Sequence, residues 1–207
     1  MSQKILLVEG KDDQNVVWAF CNAYELPQDF KVRENGGKGV LLQSLQRYLL
    51  DPLAYPVLGI LVDADDSLKS TWEAIATRLQ DAGYSVPLHP GAEGTILEHP
   101  NDGPRLGIWL MPDNHLAGKL EDFVRLLIPK GDGLTPEAES ALRAIEGKGV
   151  QRYAAKDRPK AFIHTWLAWQ KDPGAPMGLA ITKRYLDPNS PQADSFVAWL
   201  CRLFLEE

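Results

Sequence analysis

Three short runs of unbroken apolar residues stand between Lys4 and Met111, and amphipathic stretches separate them. The runs are Lys4 to Val8 (KILLV), Pro56 to Val62 (PVLGILV) and Arg105 to Met111 (RLGIWLM). Apolar runs this short, without polar alternation, read as strands covered on both faces. Asp12 to Glu25 places Val16, Val17, Phe20, Ala23 and Tyr24 at helical spacing. Val40 to Leu50 repeats the pattern, and Leu68 to Ala82 sets Leu68, Trp72, Ile75, Ala76 and Leu79 on one helix face. Phe30 to Arg33 adds a short strand, and Gly36-Gly37-Lys38-Gly39 a turn. The order β-α-β-α-β-α predicts an α/β fold: a Rossmann-like, mainly parallel central sheet flanked by helices. In such sheets the functional residues gather at the carboxyl ends of the strands.

Beyond Ala82 the pattern loosens. Pro87 to Pro104 is rich in Pro, Gly and His, with one short strand at Thr95 to Leu97. Leu120 to Ile128 reads as a helix stopped by Pro129. Pro136 after Thr135 marks the entry to a helix over Glu137 to Ile145, closed by Gly147. Ala161 to Gln170 and Pro191 to Leu205, the latter with Ser190 as N-cap, complete a helical C-terminal extension. The expected division is an α/β core over 1–128 and a helical region over 129–207 packed on it. The sequence shows no internal repeat.

Composition narrows the class. The 207 residues carry a net charge of −6, with 44% hydrophobic and 24% charged residues, ordinary for a globular chain with a real core. Cys21 and Cys201 form no metal or redox spacing, which points to a reducing, cytoplasmic setting. No segment has the length of a membrane span, so no membrane partner is expected. The acidic balance argues against a surface coated with base for non-specific nucleic-acid binding. It leaves open an enzyme whose carboxylates hold divalent cations.

Three acidic clusters fall beside predicted strand ends or helix starts: Glu9 with Asp13; Asp63, Asp65 and Asp66; Glu121 with Asp122. In a parallel sheet such positions converge on one edge, and gathered carboxylates repel unless a cation sits among them. Mg²⁺, hard and oxygen-preferring, suits that role. Helix capping is the plainer use of Asp12, Asp13, Asp65, Asp66 or Ser67, and for Asp66 it is the favoured one. Glu9 is a weak N-cap at the end of an apolar strand, and capping does not explain it. Alternation along an extended segment would turn Asp63 and Asp65 to the same side, toward one ion.

"LLVEGKDD" followed by "GILVDADD" resembles the Toprim domain shared by primases, topoisomerases, RecR-type repair proteins and OLD-family nucleases. The matching residues are Glu9-Gly10 and Asp63-Ala64-Asp65, and Asp13 resembles the acid that helps hold a second metal in the OLD type. The stretch "MPDNHLAGKLEDF", Met111 to Phe123, is similar to stand-alone Toprim-like proteins related to the OLD group. The resemblance implies Mg²⁺-dependent phosphodiester cleavage, with Mn²⁺ as an alternative ion and DNA or RNA as substrate. It implies Glu9, Asp63 and Asp65 as metal ligands or acid–base groups, and Asp13 and Glu121 on a second ion. A late lysine near the OLD-type site makes Lys160 a further catalytic candidate, able to stabilise charge on the phosphate. OLD-type enzymes carry an ATPase domain, but this sequence has no GxxxxGK[ST] motif, so a partner ATPase or a homo-oligomer is implied instead.

Phosphate-binding candidates are Gly10 and Lys11 after the first strand, and Gly37 and Lys38 at the opening of a helix. The plain alternative for the glycines is a flexible turn. His89, His99, His115 and His164 show no zinc spacing, and His115 reads as a surface-loop residue. Phe162, Ile163, Trp166 and Trp169 have helical spacing and read as core. Two rival functions remain: a Toprim-derived module that binds metal or nucleotide without catalysis, and a phosphoryl-transfer domain with a nucleophilic aspartate. The second is disfavoured by Glu9, which stands where that aspartate belongs.

Overall fold

The computed structural model describes residues 3–206. The elements run β1 (Lys4–Val8), α1 (Lys11–Ala23), β2 (Phe30–Glu34), α2 (Lys38–Leu49), β3 (Val57–Asp63) and α3 (Leu68–Asp81). They continue with β4 (Thr95–Leu97), β5 (Arg105–Met111), α4 (Leu120–Leu126), α5 (Leu134–Gly147), α6 (Arg158–Ala168), α7 (Met177–Thr182) and α8 (Pro191–Phe204). The sheet order is β2-β1-β3-β5-β4. β1, β2, β3 and β5 are parallel, and β4 joins the edge antiparallel to β5. The chain leaves β1 to one side to make β2 and returns to the other side to make β3. That reversal opens a crevice at the carboxyl ends of β1 and β3, where α/β sheets of this kind bind ligands.

The unbroken apolar strands are explained by two cores, one on each face. Ile5, Leu7, Leu58, Ile60, Val62, Leu106, Ile108 and Leu110 face α2 and α3, packing with Leu41, Leu45, Trp72, Ile75 and Leu79. Leu6, Val8, Leu61, Trp109 and Met111 face the other way, into a cluster with Phe20, Phe123, Phe162, Trp166, Phe196 and Trp199. Helices α1, α4, α6 and α8 therefore share one continuous core with the sheet. Gly59 and Gly107 are paired across β3 and β5. A Cβ on Gly107 would lie 2.3 Å from Leu203 Cδ2, and one on Gly59 2.6 Å from Leu6 Cδ1 and 3.0 Å from Phe204 Cζ. The two glycines make the trough in which the end of α8 lies.

Several local expectations need correction. Residues 177–182 form a helix that the pattern does not announce, because six residues between Pro176 and Lys183 are too few to show a period. It seats against α1, where a Cβ on Gly178 would stand 2.6 Å from the Asn15 carbonyl oxygen. Pro136 lies inside the first turn of α5 rather than opening it, and Asp132 Oδ2 accepts from Thr135 N at 2.7 Å. Ser67, not Asp66, caps α3, accepting from Ser70 N, and Asp66 is exposed. Trp169 falls beyond the end of α6 and is 44% exposed, whereas Phe162, Ile163 and Trp166 are buried. Among the described residues no helix is long and apolar enough to cross a membrane.

Candidate acidic site

Glu9 follows the last residue of β1, and both its carboxylate oxygens are held by backbone. Oε1 accepts from Asp63 N at 2.8 Å, and Oε2 from Lys38 N at 3.0 Å. Gly37 N adds a bond to the Glu9 carbonyl oxygen at 2.8 Å. Gly37, at φ 111°, has the left-handed conformation open to glycine, and it turns the start of α2 onto Glu9. Helix starts favour anions. Here the anion on the first turn of α2 is the protein's own Glu9 carboxylate.

Asp13 sits in the first turn of α1 and is buried; its Oδ2 accepts from Gly10 N at 3.0 Å. It thus closes the helix start from within, while Asp12 and Lys11 are exposed. Asp63 ends β3, and its Oδ1 accepts from Leu120 N at 2.9 Å, which ties the strand to the start of α4. Glu121 is buried in that same first turn.

These four carboxylates act on one another. Burial pushes Asp63 up to about 8, and the charges of Glu9, Asp13 and Glu121 add to the rise. Burial likewise pushes Asp13 up to about 7, with Glu9 and Glu121 contributing. Glu9 is raised by burial too, and the Asp63 amide and the Lys38 charge pull it part of the way back. Two strand ends and two helix starts far apart in sequence have thus gathered into one partly buried acidic cluster, in which neighbouring charges raise the pKa values of Asp13 and Asp63.

Three lysines border the cluster. Lys38 Nζ pairs with the Asp65 carboxylate and donates to the Asp63 carbonyl oxygen and Thr71 Oγ1, both at 3.1 Å. Lys119 Nζ lies 3.7 Å from Asp65 Oδ1 and 3.7 Å from Asp157 Oδ1. Lys160 Nζ, within the first turn of α6, lies 3.1 Å from Glu121 Oε1, and that contact raises its pKa. Lys160 therefore reaches the cluster from the C-terminal helices.

Asp65 is placed differently from its expected partner Asp63. The strand ends at Asp63, and Asp65 has φ 51°, with its N–H bonded to the Gly118 carbonyl oxygen at 2.8 Å. The segment is bent, so the period-two rule for extended chain does not apply across it. Asp65 faces Lys38 and Lys119, while Asp63 faces the acids. His115 is exposed on the loop after β5, and Asp122 closes the first turn of α4 by accepting from Lys119 N at 2.8 Å. Sequence reasoning missed Lys119, Asp157 and Thr71. Lys119 carried a readable signal, a base two residues before an acid at a strand-to-helix crossing; Asp157 and Thr71 carried none.

The donors are all oxygens, which suits a hard divalent cation, and neither Asp13 nor Asp63 has a salt-bridge partner among the described residues. Among those residues, no group of three or more His, Cys, Asp or Glu stands ready to hold a metal ion.

Two solved structures are similar over nearly their whole lengths. A hypothetical protein from Pyrococcus horikoshii OT3 is 13% identical, with 98% of this chain and 95% of that one covered and a TM-score of 0.60. The C-terminal region of the OLD protein of Xanthomonas campestris pv. campestris is 15% identical, with 99% and 94% covered and a TM-score of 0.50. At such identities the likeness is one of fold. No curated protein matches the chain. The model of one family, described as "Protein of unknown function (DUF3226)", matches residues 3–205, and the chain belongs to that family.

Proposed function

We propose that this protein is a Toprim-like, Mg²⁺-dependent hydrolase of phosphodiester bonds in DNA or RNA. The observation that carries the proposal is the convergence of Glu9, Asp13, Asp63 and Glu121 at the β1/β3 crevice, with Lys38, Lys119 and Lys160 at its border. The fold shared with an OLD protein's C-terminal region supports it. Asp13 and Asp63 would hold the cation, with Glu121 beside them, while Glu9 pins the two strand ends and the start of α2 together. A bound Mg²⁺ supplies charge neutralisation at the phosphate and a water of lowered pKa.

The chain's own groups do the rest. The raised pKa values of Asp63 and Asp13 belong to the metal-free cluster; a bound cation would favour their charged forms, in which they would serve as its ligands. Lys160 and Lys119 present ammonium groups to the phosphate and to the charge that grows on its oxygens during attack. The test is cleavage of labelled single- and double-stranded DNA and RNA with Mg²⁺ or Mn²⁺, with Asp63→Asn as control. The alternative, a module that binds metal or nucleotide without cutting, is favoured by one observation, the absence of a ready three-ligand group among the described residues. Metal binding without cleavage across that panel would select it.

A further inference from the structure

We propose that Lys38 takes the place of a second divalent cation, so that the site binds one metal ion rather than two. An ammonium group has three N–H donors. Those of Lys38 meet three oxygens: the Asp65 carboxylate, the Asp63 carbonyl at 3.1 Å and Thr71 Oγ1 at 3.1 Å. Thr71 is itself fixed, donating to the Ala64 carbonyl oxygen at 3.0 Å. The Asp63–Ala64–Asp65 turn and the first turns of α3 thus form an oxygen-lined seat, and an ammonium fills it. The backbone holds the arrangement in place, since Lys38 N is bonded to Glu9 and Asp65 N to Gly118.

Charge divides the acids into two groups. Asp65 meets Lys38 through one oxygen and Lys119, at 3.7 Å, through the other. A divalent ion at Asp65 would have to displace a lysine whose donors are already met. Among the described residues, the Asp13 and Asp63 carboxylates accept only backbone N–H bonds, from Gly10 and Leu120. No lysine or arginine among the described residues pairs with Asp13 or Asp63, so the one divalent ion is assigned to them. Asp65 becomes a positioning residue, holding Lys38 and Lys119 at the border of the cluster.

This inference rests on the cation site proposed above, and counting ions separates the failure of one from the failure of the other. Mn²⁺ bound per chain is measured by electron paramagnetic resonance and native mass spectrometry on the full chain, with circular dichroism to verify folding. The wild type is expected to bind one ion. Asp65→Asn should still bind one with unchanged affinity, whereas Asp63→Asn should lose about tenfold or more in affinity. In Lys38→Met the vacated seat should admit a second ion, and Lys38→Met with Asp65→Asn should return the count to one. Two ions in the wild type, loss of the ion in Asp65→Asn, or a count that stays at one in folded Lys38→Met would each overturn the inference. No ion in the wild type would overturn the cation site itself. If Lys38→Met does not fold, the wild-type count and Asp65→Asn decide the matter.

Discussion

The backbone N–H of Asp63 donates to Glu9 Oε1 at 2.8 Å, joining the ends of two neighbouring strands across 54 positions of sequence. The second oxygen of the same carboxylate holds the first turn of α2. Glu9 therefore acts on three elements at once, and the crevice takes its shape from it.

Removing that carboxylate leaves two partly buried amides without acceptors. Glu9→Ala should cost about 1–3 kcal/mol for each unsatisfied donor that water cannot reach. Glu9→Gln keeps one acceptor oxygen and should cost less. Urea denaturation of the two variants checks the order; equal stability of Glu9→Ala and the wild type would contradict the role.

The acidic cluster makes the metal-free protein sensitive to pH. Asp63 lies near 3.8 when unperturbed and is pushed up to about 8 in the fold, and Asp13 to about 7. The folded state then binds more protons than the unfolded state between those limits, so stability falls as pH rises. In chelator, thermal stability should decline from pH 5 to pH 8, and Asp63→Asn should flatten the decline. A wild-type curve that rises over this interval would contradict the cluster.

Divalent cations should relieve the same repulsion. Adding Mg²⁺ or Mn²⁺ at pH 8 should raise the melting temperature, because a ligand that binds only the folded state stabilises it. Asp63→Asn should remove the gain. Scanning calorimetry with and without chelator measures both.

The trough under α8 predicts a packing effect independent of the site. Gly107→Ala would place a methyl group 2.3 Å from Leu203 Cδ2 in a filled core. Overpacking of this kind typically costs about 1–3 kcal/mol. Leu203→Ala should restore part of the loss when combined with it, and a double-mutant cycle tests the coupling.

Much of this was legible in the sequence because two-sided burial leaves unbroken apolar runs. KILLV, the VLGILV run and RLGIWLM announced the central strands, and the residues following the first two lie at the crevice. The antiparallel direction of β4 was not legible, since three residues carry no directional signal. Helix α7 was hidden for the same reason of length. Asp65 misled because the alternation rule assumes extended backbone, whereas the backbone at that residue is left-handed and its N–H is bonded to Gly118, far along the chain. Asp157 was unreadable because its place depends on how α6 docks beside α4, which is a tertiary fact. Lys160, which the resemblance implies as a site residue, stands 3.1 Å from Glu121.

The most direct measurement is cleavage itself. Labelled single-stranded DNA, double-stranded DNA and RNA are incubated with the full chain in Mg²⁺ and in Mn²⁺, and with chelator as control. The account predicts metal-dependent cleavage of at least one of them, lost in Asp63→Asn and weakened in Lys160→Ala. Intact substrates throughout, from a protein that demonstrably binds Mn²⁺, would contradict it.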